Sequence, residues 1–210
     1  KTSLEDVAGS ERRSDSRSDS SASRAADIEP VVAQCCSLVG AFVKPDEWLE
    51  VLLERCGPGN DSATVAGALA VAAECCAGAA AEDMLREEKD QKCPADRILD
   101  VLEHPSLVGS SDTAARAAAC RFTATALSRR PRTWGGFFDE KGGAQKETRA
   151  KKRLARLLGA ALRAGARPVE TDEAVEPARA CRAAFAAAAR ALGMDTEGTD
   201  ARSAVIARLR

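Results

Sequence analysis

The chain has 210 residues and a net charge of −1, with 30% charged and 45% hydrophobic side chains. That length allows one medium domain or a short repeat array with a continuous core, and the balanced charge gives no global pull toward nucleic acid or membrane. Aromatics are only 3% with no tyrosine, while alanine, roughly a fifth of the residues, is the best helix former, so composition argues against a sheet.

In chain order, residues 1–9 read as the end of an upstream element. The Ser/Arg/Asp run over 10–27 reads as a disordered linker, because it has too little apolar surface to offset the entropy of ordering. Helices are expected from Ile28. The first spans Ile28–Val43 and stops before Pro45, since the residue ahead of a proline is pushed out of the α region. The second opens at Asp46 and ends near Cys56, with Trp48, Leu49, Leu52 and Leu53 at helical spacing. Gly57-Pro58-Gly59-Asn60 is a stop.

Ser62 is the expected cap of a third helix running to about Ala80. A charged connector, Glu82–Lys92, with room for a helical turn at Met84-Leu85, leads to a fourth helix at Pro94–Glu103. Asp112 caps a fifth that is closed by Pro131. An insertion at 131–145 holds Trp134, Phe137 and Phe138. A sixth helix covers Glu147–Ala164 and a seventh Asp172–Leu192, starting or kinking at Pro177. Asp200 opens an eighth.

The odd-numbered members of this series share a motif. Cys35-Cys36, Cys75-Cys76, Cys120 and Cys181 sit in alanine-rich stretches, spaced 40, 45 and 61 residues apart from the first cysteine of each. The insertion accounts for the longest interval. The even-numbered members carry bulkier leucines, and Pro45–Leu52 is echoed by Ala95–Leu102. Alternating helix types at this period are the mark of paired-helix repeats, and such arrays act mainly as surfaces that hold other macromolecules. The expected fold is therefore an all-α, right-handed α-α superhelix of HEAT/armadillo type, about four helix pairs over 28–210.

The run Leu38-Val39-Gly40-Ala41-Phe42-Val43-Lys44-Pro45-Asp46-Glu47-Trp48-Leu49, continued by Leu52-Leu53 and the helix Ser62–Ala73, resembles the HEAT-repeat axonemal dynein assembly factor family. The resemblance covers about a quarter of the chain, at helix-packing positions. It implies a non-catalytic cytoplasmic factor that helps preassemble dynein arms, with dynein chains and chaperones as partners. It brings no catalytic motif, and the Ser/Arg/Asp run and the aromatic insertion depart from it.

Enzymatic signals are sparse. The single histidine, His104, lies at a helix end, where it can interact with the helix carboxyl terminus. No phosphate-binding glycine motif occurs, so no enzyme and no cofactor is expected. The vicinal cysteines lack the Cys-x-x-Cys spacing zinc favours, and neighbouring helical residues point about 100° apart, so only one thiol of each pair can face a stacked neighbour. They read as core in a reducing, cytosolic or nuclear setting. No run approaches the roughly 20 apolar residues of a membrane span.

Two candidate partner-binding features remain. Trp134, Phe137 and Phe138 either anchor a partner or fold back over the groove between helix pairs. The basic sixth helix (146–167), through Lys151, Lys152, Arg153 and Arg156, is an outer solvated face or a docking face for an acidic partner or RNA backbone. The second role gives the alternative function, an RNA-associated HEAT-repeat protein of ribosome biogenesis or the nucleus.

Overall fold

Proline and short polar side chains set most of the helix ends. The computed structural model describes residues 18–57, 59–87, 91–135, 144–166, 175–195 and 200–209, and among them it is all-helical. The helices are α1 (Ser18–Phe42), α2 (Pro45–Arg55), α3 (Ser62–Gly78), α4 (Ala81–Met84), α5 (Pro94–Leu102), α6 (Pro105–Val108), α7 (Thr113–Arg129), α8 (Ala144–Gly165), α9 (Val175–Ala191) and α10 (Ala201–Leu209). Proline opens α2, α5 and α6, where its missing N–H costs nothing and its φ is already helical.

Asp112 caps α7 by accepting from the Ala114 N–H at 2.7 Å, and Asp200 caps α10 by accepting from the N–H of Ser203 at 3.2 Å. The α3 cap differs from the expectation. It is Asp61 rather than Ser62, taking the Thr64 N–H at 2.9 Å and the Thr64 hydroxyl at 2.7 Å. A carboxylate has two oxygens to serve both donors, and a serine hydroxyl has one.

The start of α1 also departs from the sequence reading. The helix begins at Ser18, ten residues ahead of Ile28, and runs through Pro30. Residues 18–27, read from composition as linker, are therefore helical; residues 1–17 lie outside the described residues. Once a helix is nucleated, each added residue gains a hydrogen bond at little cost, so a polar stretch abutting a helix is carried into it. α4 and α6 are single turns, the first at the Met84 position anticipated in the connector and the second unforeseen.

The helices meet in two rows. α1 packs on α3, α3 on α7 and α7 on α9; separately α2 packs on α5 and α5 on α8, with α2–α3, α7–α8, α8–α9 and α9–α10 contacts joining the rows. α3 and α7 run the same way. The Asp112 carboxylate at the start of α7 takes a hydrogen bond from Ser62 at the start of α3. At the far ends, Arg130 donates to the carbonyls of Ala77 at 2.8 Å and Gly78 at 3.2 Å.

Small residues bring the first row together. A β-carbon on Gly40 would lie 1.9 Å from the Cys75 carbonyl oxygen, and one on Gly78 would lie 1.8 Å from that of Ser37, so α1 and α3 touch backbone to backbone. Ala68, Ala72, Ala115, Ala118, Ala119, Ala184 and Ala188 are buried along the same row. The larger core residues sit between the rows: Leu49, Leu69, Leu99, Leu102, Phe122, Leu127, Leu154 and Leu157 are all essentially inaccessible.

Candidate functional site

A groove of about 620 Å³ runs along the first row, where α1, α3 and α7 adjoin. Its width follows from residue size. Ala66, Ala70 and Ala73 recur on one face of α3, and Ala118 joins them from α7, so the floor holds few side chains larger than methyl. Val32, Val71 and Phe122 supply the apolar walls, while Glu29, Glu74 and Arg121 bring charge to the lining. Two of those charges are tied down: Glu74 accepts from Arg129, and Arg121 pairs with Glu176 at 2.8 Å.

On the side turned away from the groove α1 exposes a row of large apolar side chains. Val31 is 59% exposed, Leu38 51% and Phe42 84%, with Val32 and Val39 also open. Positions 31, 38 and 42 share one helical face. A contiguous apolar patch of this kind marks an interaction surface more often than a monomer's ordinary exterior. The sequence pattern placed these residues inside a helix without revealing that one face lacks a neighbour.

The aromatic insertion turns out differently for the residue that is described. Trp134 is fully buried, and its ring meets Phe122 edge-to-face at 5.7 Å and 86°. It is a core residue that follows α7 through a short turn, so the anchor role expected for it is corrected in favour of folding back over the helices. Gly135 makes that turn possible: its φ is +81°, and a β-carbon there would lie 2.2 Å from the Ala150 carbonyl oxygen of α8. Phe137 and Phe138 lie outside the described residues.

The basic helix is also reassigned. Its cations were expected to project from the core, but two face α5. The Arg153 side chain is 12% exposed and binds Asp96 through two nitrogens at 3.3 Å. Arg156 binds Glu103 at 2.6 Å and Asp100 at 2.8 Å. Lys151 pairs with Glu147 one turn earlier and Arg149 with Glu87, while Lys152 is exposed. The carboxylates that neutralise Arg153 and Arg156 come from α5, some fifty residues away.

Burial raises the pKa of the Asp96 carboxyl, yet hydrogen bonds and charge from Arg153, aided by the Cys93 thiol and Arg156, outweigh it and hold the group below its ordinary value. Second-row packing continues to α2, where Arg97 of α5 reaches Asp46 at 3.2 Å and Glu50 at 2.8 Å.

The expectation of one inward thiol in each vicinal pair fits the first pair and not the second, where both are buried. Cys35 is exposed, Cys36 half-buried, and Cys75 and Cys76 buried. Burial pushes the Cys75 thiol up to about 12, with the neighbouring Cys36 and Glu74 adding to it. Among the described residues no cluster of three or more His, Cys, Asp or Glu side chains has the arrangement to hold a metal ion. His104 caps α6, its Nδ1 accepting from the Ser106 N–H at 3.3 Å, while its backbone N–H donates to the Val101 carbonyl at the end of α5 at 3.1 Å. Among the described residues no helix is long and apolar enough to cross a membrane.

Compared with models of known families, with characterised proteins and with solved structures, the chain matches none. The class that fold and site define is therefore an all-helical protein with an open apolar groove along one row of helices.

Proposed function

We propose that this protein is a non-catalytic scaffold that binds other proteins, built as a right-handed α-solenoid of HEAT/armadillo type. Its four pairs are α1 with α2, α3 with α5, α7 with α8 and α9 with α10. The observation that carries the reading is the groove across α1, α3 and α7, with the exposed Val31, Leu38 and Phe42 face of α1 as a second apolar surface. An apolar trough with charges at its edge suits an amphipathic helix laid along it. Within this class, the resemblance over residues 31–80 makes cytoplasmic preassembly of axonemal dynein arms the specific proposal.

The test is purification of the protein from ciliated cells, with and without nuclease, beside an Ala70→Glu, Val32→Glu variant. Both positions line the groove and are exposed, so the variant keeps the wild-type melting temperature. Dynein heavy chains and chaperones retained by the wild type, unaffected by nuclease and lost from the variant, support the proposal. A nuclease-sensitive set of ribonucleoproteins that the variant still retains overturns it in favour of an RNA-associated protein.

A further inference from the structure

The second concavity of note, about 500 Å³, lies where α8, α9 and α10 adjoin, lined in part by Gly165, Cys181, Arg182, Asp200 and Arg202. Cys181, on α9, is 8% exposed, buried enough to be held and open enough to be reached through this pocket. Its neighbour on the core side is Cys120 of α7, which is fully inaccessible. The two thiols are brought to one face of α8: the Cys120 sulfur lies 3.3 Å from the Ala161 carbonyl oxygen, and Cys181 lies against Gly165, one helical turn further on.

Gly165 keeps the site open. A β-carbon there would lie 2.5 Å from the Cys181 β-carbon and 3.0 Å from its sulfur. Elsewhere in the first row Cys75 and Cys76 are buried and Cys35 is exposed, while Cys36, half-buried on the larger groove, is pushed up by burial and by Cys35 and Glu74.

We infer that Cys181 is a peroxide-reactive thiol and that Cys120 resolves it, closing a disulfide between α7 and α9. Reactive cysteines occupy electropositive, partly exposed surroundings, whereas buried structural ones are inert. Cys181 has Arg182 and Arg202 in its pocket, with Asp200 the one carboxylate among the lining residues. The Cys120 thiol holds the pKa of Cys181 below its ordinary value against the opposing effect of burial, and charge from Arg202 and Arg182 acts in the same direction. The same contact pushes Cys120 up, so it remains the protonated partner.

The chemistry balances with a hydroperoxide as oxidant. The Cys181 thiolate attacks one peroxide oxygen, the O–O bond breaks, and the departing hydroxide takes up a proton to leave as water. The sulfur becomes a sulfenic acid. The Cys120 sulfur then attacks the Cys181 sulfur. As the S–S bond forms, the S–O bond breaks and the hydroxyl leaves with the Cys120 proton as a second water. Two thiols lose two electrons in all, and the peroxide gains them.

The experiment treats the reduced full chain with hydrogen peroxide, blocks remaining thiols, and digests without reduction using a protease that cuts before aspartate. Cleavage at Asp112 and Asp139, and at Asp172 and Asp195, leaves Cys120 and Cys181 each the only cysteine of its peptide. The expected result is a 112–138 to 172–194 crosslink that forms ahead of oxidation at Cys35 or Cys36. Cys120→Ser loses the crosslink and leaves Cys181 as a sulfenic acid captured by dimedone; Cys181→Ser loses both signals. Oxidation of Cys35 or Cys36 with Cys120 and Cys181 still reduced overturns the inference, as does a crosslink that appears only in urea. The wild-type crosslink decides the matter even if a serine variant does not fold.

Discussion

Along the row α1–α3–α7–α9, neighbouring helices meet through glycine, alanine and cysteine, close enough at Gly40 and Gly78 for backbones to touch. Along α2–α5–α8 they meet through arginine and carboxylates, with Arg97 reaching back to α2 and Arg153 and Arg156 reaching back to α5. Both contacts set a helix spacing, but by different physics. Small-residue packing depends on shape and falls off within a fraction of an ångström. Charge pairing tolerates small displacements and weakens with salt. The row with the groove is thus the sterically exacting one, and the row behind it is the electrostatic one.

The joint between the rows gives the largest effect. Trp134→Ala removes a fully buried ring packed on Phe122 and lowers stability by about 3–5 kcal/mol, measured by denaturant unfolding; a loss below ~1 kcal/mol would mean the ring is dispensable. Within the first row, glycine substitutions should have opposite signs. Gly67→Ala meets nothing within 4 Å and stabilises α3 by about 0.5–1 kcal/mol through helix propensity. Gly40→Ala should destabilise by roughly 1–3 kcal/mol through overpacking despite the same propensity gain. Equal signs for the two would remove the steric half of the comparison.

In the second row, Arg156→Met should cost only about 0.5–1 kcal/mol, because its partners are partly solvated, and the cost should shrink as salt is raised. Double-mutant cycles of Arg156 with Glu103 over a salt series measure this; a salt-independent coupling would mean the row is held by packing.

The two rows are also separated by pH. Asp96 has a depressed folded value, so its contribution is present above the ordinary carboxyl value of 3.8 and is lost as pH falls through the folded one. Cys75 is raised from 9.0 to about 12. Its contribution is full below 9.0 and is lost as pH rises toward 12. Acid should therefore loosen α5 from α8 first, and alkali α1 from α3. Hydrogen exchange at the two pH extremes distinguishes them, and loosening in the reverse order would contradict the assignment.

Much of the fold is legible in local chemistry. Pro45, Pro94, Asp112, Pro131 and Asp200 mark helix ends within a residue or two because caps and prolines act on the backbone beside them. The alternation of small-residue and leucine-rich helices likewise anticipates two kinds of packing surface. What the local pattern could not give is register between distant elements. Arg153 looks like a solvated cation until α5 brings Asp96, 57 residues away, against it, and Trp134 looks like a loop anchor until Phe122 is beneath it. The groove was illegible for the same reason: Ala66, Ala70 and Ala118 form a trough only once α1, α3 and α7 adjoin. The start of α1 was missed because composition alone ignores the helix next door.

The bond from Arg130 to the carbonyls of Ala77 and Gly78 has a bearing on how the chain folds. The last turn of any helix leaves carbonyls without partners, and α3 has its own supplied from the end of α7, some fifty residues later in sequence. At its start each helix keeps a cap of its own, Asp61 on α3 and Asp112 on α7. A chain cut before α7 would leave the last turn of α3 without these donors, so the end of one pair is completed only by the pair that follows it.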